Sequence, residues 1–348
     1  MHSFKIKMSK KIGSFLLNIF IQEEANVLGL YGVSGSGKTT LLNCIAGFKQ
    51  PDSGKIEIDN QIFFDGSENT NMLIEKRRLG YVSQFSTLFP NMSVNQNISF
   101  GFDHTPKNDR IYSPSEITSF LGITHLIERN IHGLSGGEKQ LVSLARAIAS
   151  SPKGLLLDEP LSSLDSRSKI GLIQKLRLVN TELNIPILYV SHSPSEIMSL
   201  CDQVSIISNG TIINSGKSSI IFNYDDLNDI DLENFFECEV IDSSNLKLGD
   251  QNIVVSNKNL DNQKRVGISI NSSDIIVSTN HPSGISAQNV FYGKLIDYFI
   301  SDQSVLILSN VGEEIWSKIT LDSFKRLKLS KGSDMYLIIK SSNINFQN

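Results

Sequence analysis

Gly32-Val33-Ser34-Gly35-Ser36-Gly37-Lys38-Thr39 has the spacing G-x-x-x-x-G-K-[ST], and these residue types suit one task, the wrapping of a chain of phosphates. Gly32, Gly35 and Gly37 let the backbone turn its N–H groups inward. Lys38 would lie on the β- and γ-phosphates, and Thr39 would give its hydroxyl to Mg2+. The apolar run Val27-Leu28-Gly29-Leu30-Tyr31 before the loop reads as a buried strand. Thr40 to Ala46 after it has helical spacing, and Gly47 is placed to end that helix. A helix N-terminus at the loop adds positive partial charge where an anion would sit.

Further along, Gly154-Leu155-Leu156-Leu157-Asp158-Glu159 is a buried strand ending in two acids. Downstream of a phosphate loop, Asp158 is suited to the Mg2+ shell and Glu159 to orienting or deprotonating an attacking water. His192 ends the apolar strand that starts at Ile187, from which a histidine can reach a γ-phosphate. Ser135 and Glu138 have the spacing of a capping box at the start of a strong helix. A capping box needs no glycine pair, however, and Gly136 and Gly137 clear room for a ligand at that helix N-terminus. Ser135 cannot fully serve both the cap and a phosphate.

The elements that must hold these groups follow from the pattern. Phe4, Ile6 and Met8 alternate as in a strand, and the apolar stretch 14–21 forms a second one. A secretory signal does not fit that stretch, which is short, broken by Asn18 and followed by Gln22-Glu23-Glu24. Residues 55–59 and 62–64 read as hairpin strands, and 77–84 as a strand ending in Gln84. A polar, helical insertion runs from Phe85 to about Gly133, broken by Pro90, Pro106 and Pro114. A helix is predicted over 166–182, and a closing hairpin turns at Asn209-Gly210. From about Asn223 the composition becomes acidic, then changes to short strands between Gly, Asn and Ser turns, as in a small β-barrel.

Bulk properties narrow the class. A chain of 348 residues is long for one core and suggests two domains. Its 40% hydrophobic and 20% charged residues are ordinary for a soluble globular protein. A net charge of −4 argues against a nucleic-acid partner. No run reaches the roughly eighteen apolar residues of a membrane span. Cys44, Cys201 and Cys238 form no metal-like cluster and cannot all pair, which suits a reducing compartment.

Taken together, the first 220 or so residues resemble the ATP-binding subunit of an ABC transporter. The resemblance rests on an ordered set: the loop 32–39, Gln84, the signature Leu134-Ser135-Gly136-Gly137-Glu138, Asp158-Glu159, Ser163-Leu164-Asp165 and His192. It implies a P-loop NTPase cassette, a mixed α/β sheet with a helical subdomain at about 85–150, occupying residues 1–222. An acidic linker would cover 223–238 and a small all-β, OB-like barrel 239–348. It further implies a head-to-tail homodimer sandwiching ATP and Mg2+ between the loop of one subunit and Ser135, Gly136, Gly137 and Glu138 of the other. Asp165 belongs to the family's nucleotide-binding set, Gln84 to its metal shell, catalytic group and permease contact, and Phe15 is the candidate for stacking on adenine. Val33 departs from a position often proline, and Gly154 opens a strand usually fully aliphatic; neither removes a functional group.

The segments 88–94 and 187–193 also resemble molybdate importers. In the tail, the match is best over 284–342 and runs through Gly284-Ile285-Ser286-Ala287-Gln288-Asn289-Val290 and Ile338-Ile339-Lys340. The resemblance implies an oxyanion site drawing on Ser286, Ala287 and Lys340, since a tetrahedral dianion needs several donors and positive charge. A barrel serving only dimerisation is the other reading of the tail, and residues 239–280 match the family poorly. The expected activity is ATP hydrolysis driving molybdate or tungstate import at the cytoplasmic face of the membrane. Separate permease subunits would be needed, fed indirectly by an extracytoplasmic oxyanion-binding protein. Open alternatives are another cargo (sulfate, ferric iron, polyamine or sugar), a non-transport ABC ATPase, or an oxyanion sensor.

Overall fold

Alternation turns Phe4, Ile6 and Met8 to one face of β1 (His2–Ile12), and Ile6 and Met8 pair with Ile21 and Ile19 of β2 (Phe15–Ala25), which with Leu17 are buried likewise. A computed structural model describes residues 1–85, 87–162, 164, 166–221, 232–249, 251–256, 260, 264–300 and 303–347. It divides into two compact units, Met1–Ile221 and Phe222–Asn348.

In the first unit β3 (Val27–Tyr31) leads through the glycine loop into α1 (Lys38–Ala46). The hairpin β4 (Ser53–Ile58) and β5 (Gln61–Asp65) follows, then β6 (Thr70–Asn71), α2 (Ile74–Arg77) and β7 (Leu79–Val82). Helices α3 (Val94–His104), α4 (Pro114–Phe120) and α5 (Gly136–Ala149) precede β8 (Gly154–Asp158). Next come α6 (Ser166–Leu183), β9 (Ile187–Ser191), α7 (Pro194–Leu200), β10 (Gln203–Ser208), β11 (Thr211–Lys217) and α8 (Ser218–Ile221). One sheet joins all eleven strands in the order β6-β5-β4-β1-β2-β11-β10-β3-β9-β8-β7.

From β10 to β7 the neighbours are parallel, and β3, β8 and β9 are buried along nearly their whole length, as strands covered on both faces must be. Leu41, Leu42 and Ile45 of α1 share one core with Phe4 and Ile6 of β1 and with Leu156, Leu188 and Val190 of the parallel strands. The phosphate-loop helix is therefore wedged between the antiparallel wing and the parallel centre. Residues 77–84 do not form one strand: Arg77 ends α2, Arg78 is left-handed at φ 51°, and pairing begins only at Leu79. The cause is Arg77, buried, with its guanidinium donating to the carbonyls of Cys44 and Ile45 at the C-terminal end of α1 (2.9 and 2.7 Å).

In the second unit β12 (Glu233–Val240), β13 (Asn245–Leu248), β14 (Gln251–Val254) and β15 (Arg265–Asn271) precede β16 (Ile276–Ser278) and β17 (Asn289–Ile300). Then come β18 (Ser304–Asn310), β19 (Glu314–Thr320), α9 (Leu321–Leu327), β20 (Asp334–Ile339) and β21 (Ile344–Gln347). They make two five-stranded antiparallel sheets, β14-β13-β12-β15-β21 and β16-β20-β17-β18-β19. Ile268, Ile253, Phe291, Ile307 and Leu337 from both sheets close one apolar core, giving the small all-β, OB-like fold expected of the tail. The expected linker 223–238 lies outside the described residues up to Asp231, and from Glu233 onward it is strand β12 rather than linker. Cys44, Cys201 and Cys238 are buried thiols, none of them in a disulfide.

Candidate functional site

Packing and backbone conformation together explain the loop's glycines. A Cβ at Gly32 would meet the Ile207 carbonyl oxygen at 2.3 Å, and Gly35 and Gly37 hold φ of 82° and 110°. Gly37 caps α1 without a side chain, and the first turn of the helix carries no acidic residue, so its N–H groups and positive end remain available to an anion. Lys38 is buried and donates to the carbonyls of Gly32 (2.6 Å) and Val33 (3.0 Å), which holds its ammonium inside the loop. Ser36 is buried with its Oγ unpartnered, Ser34 and Val33 are exposed, and Thr40 is half-buried on α1. Phe15 packs beside the loop: a Cβ on Gly37 would meet its Cζ at 3.3 Å.

The neighbouring strands end where the loop begins. Thr39 Oγ1 donates to Asp158 Oδ1 (3.2 Å), and Tyr81 OH on β7 donates to Asp158 Oδ2 (3.1 Å). Burial raises the Asp158 carboxyl above its ordinary pKa, more than the two hydroxyl donors and Lys38 lower it; Glu159 adds to the rise. Burial, then the Asp158 charge, pushes the Tyr81 phenol up, so Tyr81 remains a donor. A carboxylate and a hydroxyl converging on one point form an oxygen pair suited to a hard divalent cation.

Glu159 has φ 46°, an uncommon conformation for a residue with a side chain, and its N–H donates to the Val190 carbonyl (3.0 Å). The bend sets its carboxylate between Lys38 Nζ (3.6 Å) and His192 Nδ1 (3.1 Å). Because a carboxylate only accepts, the His192 proton on this bond is at Nδ1, leaving Nε2 as the ring's other polar atom. A carboxylate in this position can take a proton from a water, with Lys38 and the His192 Nδ1–H holding it in place.

The signature turn is built on other elements. Ser135 caps α5 in a complete box: its Oγ accepts from Glu138 N (3.3 Å), and its own N–H donates to Glu138 Oε2 (2.7 Å). The bond from the Ser135 N–H, chief among the causes, holds the Glu138 carboxyl below its usual pKa. The two glycines differ in cause. A Cβ at Gly137 would meet Ser168 of α6 at 3.0 Å, whereas one at Gly136 would find only Leu164 at 3.6 Å, an ordinary contact. Close helix packing accounts for Gly137; the exposed Gly136 is the position left open to a ligand. Gln84 stands half-buried beyond β7, where Gln140 of α5 donates to the Ser83 carbonyl beside it (3.1 Å). Ser163 and Asp165 lie outside the described residues.

Sequence reasoning passed over Tyr81, Gln140 and Asn97. Buried Asn97 donates to the carbonyls of Phe89, Met92 and Ser93 and accepts from Phe89 N, fixing the loop that follows Gln84. The available signal was a polar residue on an otherwise apolar helix face. In the second unit, Ser286 and Ala287 lie in the irregular stretch before β17, and Lys340 is exposed just after β20. Pairing of Asn289 with Ile339 brings these two stretches to the same strand ends.

A strand, an uncapped glycine loop and helix, and acids at the end of a parallel strand define a P-loop nucleotide-binding protein. The ABC transporter family model matches residues 19–162, and the TOBE domain model matches residues 285–346. The chain is 33% identical to the molybdenum import ATP-binding protein ModC of Haemophilus influenzae, over 98% of this chain and 99% of that protein. It is also 33% identical to the protein of that name from Rhizobium etli, over 97% and 98%. Among solved structures it is similar to cbiO1 of Clostridium perfringens, part of an ABC transporter complex, at 26% identity and TM-score 0.54, covering 63% of this chain and 88% of that one. A dimeric ATP-binding cassette bound to ADP and Pi shares the fold at 24% identity and TM-score 0.52, over 63% of this chain and 99% of that one. The chain belongs to the ABC transporter ATP-binding family, and is an ATPase of that kind.

Proposed function

We propose that the chain energises import of molybdate or tungstate by hydrolysing ATP. The observation that carries this reading is similarity over nearly the whole length, tail included, to proteins named for molybdenum import. In this reading Lys38 and the N–H groups of residues 32–40 hold the β- and γ-phosphates. Thr39, Asp158 and Gln84 hold Mg2+, which supplies charge neutralisation at the phosphates when bound. Glu159 takes the proton of the attacking water, and His192 holds the Glu159 carboxylate in place through Nδ1. Phe15, which packs beside Gly37, is the aromatic assigned to the base in this reading.

The Ser135 turn sits on a different element from the loop, and Ser135 Oγ only accepts in its cap, so its O–H can donate to a phosphate supplied by a second subunit. The working form is then a head-to-tail homodimer, closed by ATP and reopened by hydrolysis, on permease subunits at the cytoplasmic face. Gln84 and the insertion after it face the permease. The division is a cassette to about residue 222 and a regulatory domain beyond it, with molybdate held near Ser286, Ala287 and Lys340.

Uptake in cells lacking this chain tests the cargo. Molybdate uptake is expected to fall and sulfate uptake to persist; the reverse overturns the assignment. Glu159→Gln is expected to bind ATP, accumulate as a dimer on size-exclusion chromatography and hydrolyse about 10²–10⁴-fold more slowly. A variant that turns over normally removes Glu159 from its role.

A further inference from the structure

One buried carboxylate has no part in the chemistry above. Glu196, on α7, is only 6% exposed. Its Oε2 accepts from Tyr189 OH (2.9 Å) and Ser191 Oγ (2.6 Å), both on β9, and its Oε1 lies 3.3 Å from Lys169 Nζ on α6. Ser191 Oγ in turn accepts the Ser193 N–H (3.0 Å). The residues on both sides of His192 are thus tied to a single carboxylate. Capping α7 does not require this arrangement, because Ser193 Oγ accepts the Glu196 N–H and provides that cap by itself. Replacing the carboxylate by an amide would leave one acceptor oxygen for two buried hydroxyls and a lysine, and would take away the charge that faces the lysine.

We propose that Glu196 is a positioning residue for hydrolysis: by gripping Tyr189 and Ser191 of β9 and Lys169 of α6, it fixes the backbone around His192 and so holds the imidazole on Glu159. In this proposal the carboxylate acts only through the ring, by way of its partners on β9 and α6. The His192 side chain is 58% exposed and is held by its bond to Glu159, so its aim depends on the backbone at 191–193. The inference rests on the ATP-hydrolysis reading for its turnover test and on geometry alone for its spectroscopic one.

The experiment uses the full chain with Glu196→Gln, which keeps the size and loses the charge, and Ser191→Ala, which removes the bond to Glu196 together with the one accepted from the Ser193 N–H. Glu196→Gln is expected to lower kcat about 10- to 100-fold, the scale of a misplaced reacting group, with ATP KM within about twofold of the parent. In a His192→Ala background the same change is expected to cost less than about twofold, because contacting residues that act as one unit do not add. Ser191→Ala should show the same pattern at smaller size. Independently of turnover, the His192 ring resonances, assigned by their loss in His192→Ala, are expected to shift in Glu196→Gln. A full additive loss in the His192→Ala background, or an unmoved His192 resonance in a folded Glu196→Gln chain, overturns the proposal. Should the parent chain hydrolyse no ATP, the functional reading fails, and the ring resonance still decides for or against Glu196.

Discussion

Asp158 keeps a carboxylate where burial opposes its charge, and that opposition is measurable. Its folded pKa lies above the ordinary value, so the ionised form costs stability at neutral pH, and the cost disappears as pH falls through the raised pKa. Asp158→Asn is therefore expected to unfold at a higher temperature than the parent at pH 7 without divalent cation. This advantage should shrink toward zero in acid, while ATP hydrolysis is lost; thermal unfolding across a pH series checks both. A carboxylate retained against its own stability is what a cation site demands. The same residues show what was legible. Lys38, Thr39, Asp158, Glu159 and His192 could be read from type and spacing because each sits at a fixed offset from a strand end. Tyr81 could not, since nothing in a strand's alternation says which neighbouring strand its hydroxyl will reach.

At the scale of elements, α5 and α6 approach so closely at Gly137 and Ser168 that two adjacent glycines carry opposite expectations. Gly137→Ala is expected to lower stability by about 1–3 kcal/mol through overpacking, against a helix-propensity gain of about 1 kcal/mol. Gly136→Ala should leave the unfolding midpoint level or raised, because its Cβ would meet only ordinary contact. Both should slow hydrolysis, Gly136→Ala by obstructing the turn proposed to receive a second subunit's nucleotide. Unfolding midpoints beside turnover rates separate the two effects. The S-x-x-E pattern spelled both a capping box and a ligand turn; the box is present, and the glycine pair splits between packing and access. The expected strand 77–84 starts only at Leu79 for a related reason, because the pattern Arg-Arg-Leu-Gly-Tyr-Val does not disclose that Arg77 is drawn under α1.

For the molecule as a whole, the tail ties energy use to cargo if it binds molybdate. Calorimetry on the full chain is expected to give a heat of binding that Lys340→Ala weakens about tenfold or more, the size of a lost charge-assisted hydrogen bond of about 1.5–3 kcal/mol. No heat in the parent chain removes the sensing role and leaves transport standing. The tail's local pattern announced short strands, but only tertiary pairing of Asn289 with Ile339 brings the stretch 286–288 level with Lys340. Buried Asn289 then ties the N–H and carbonyl of Val254 (2.7 and 2.9 Å), joining strands of the two sheets.

By itself the sequence determined the loop, the acids, the histidine and the order of elements, because each is written in local spacing: glycines where φ must be positive, apolar runs where a strand is covered on both faces, polar ends where those strands stop. The tertiary structure alone decided which side chains meet. Tyr81 reaches Asp158, Arg77 caps α1, Gly137 yields to α6 and Glu196 grips the strand before His192, all contacts between segments far apart in the chain or on different elements. Such meetings depend on the packing of helices against a sheet whose strand order is not chain order, and no spacing rule within one segment contains that information.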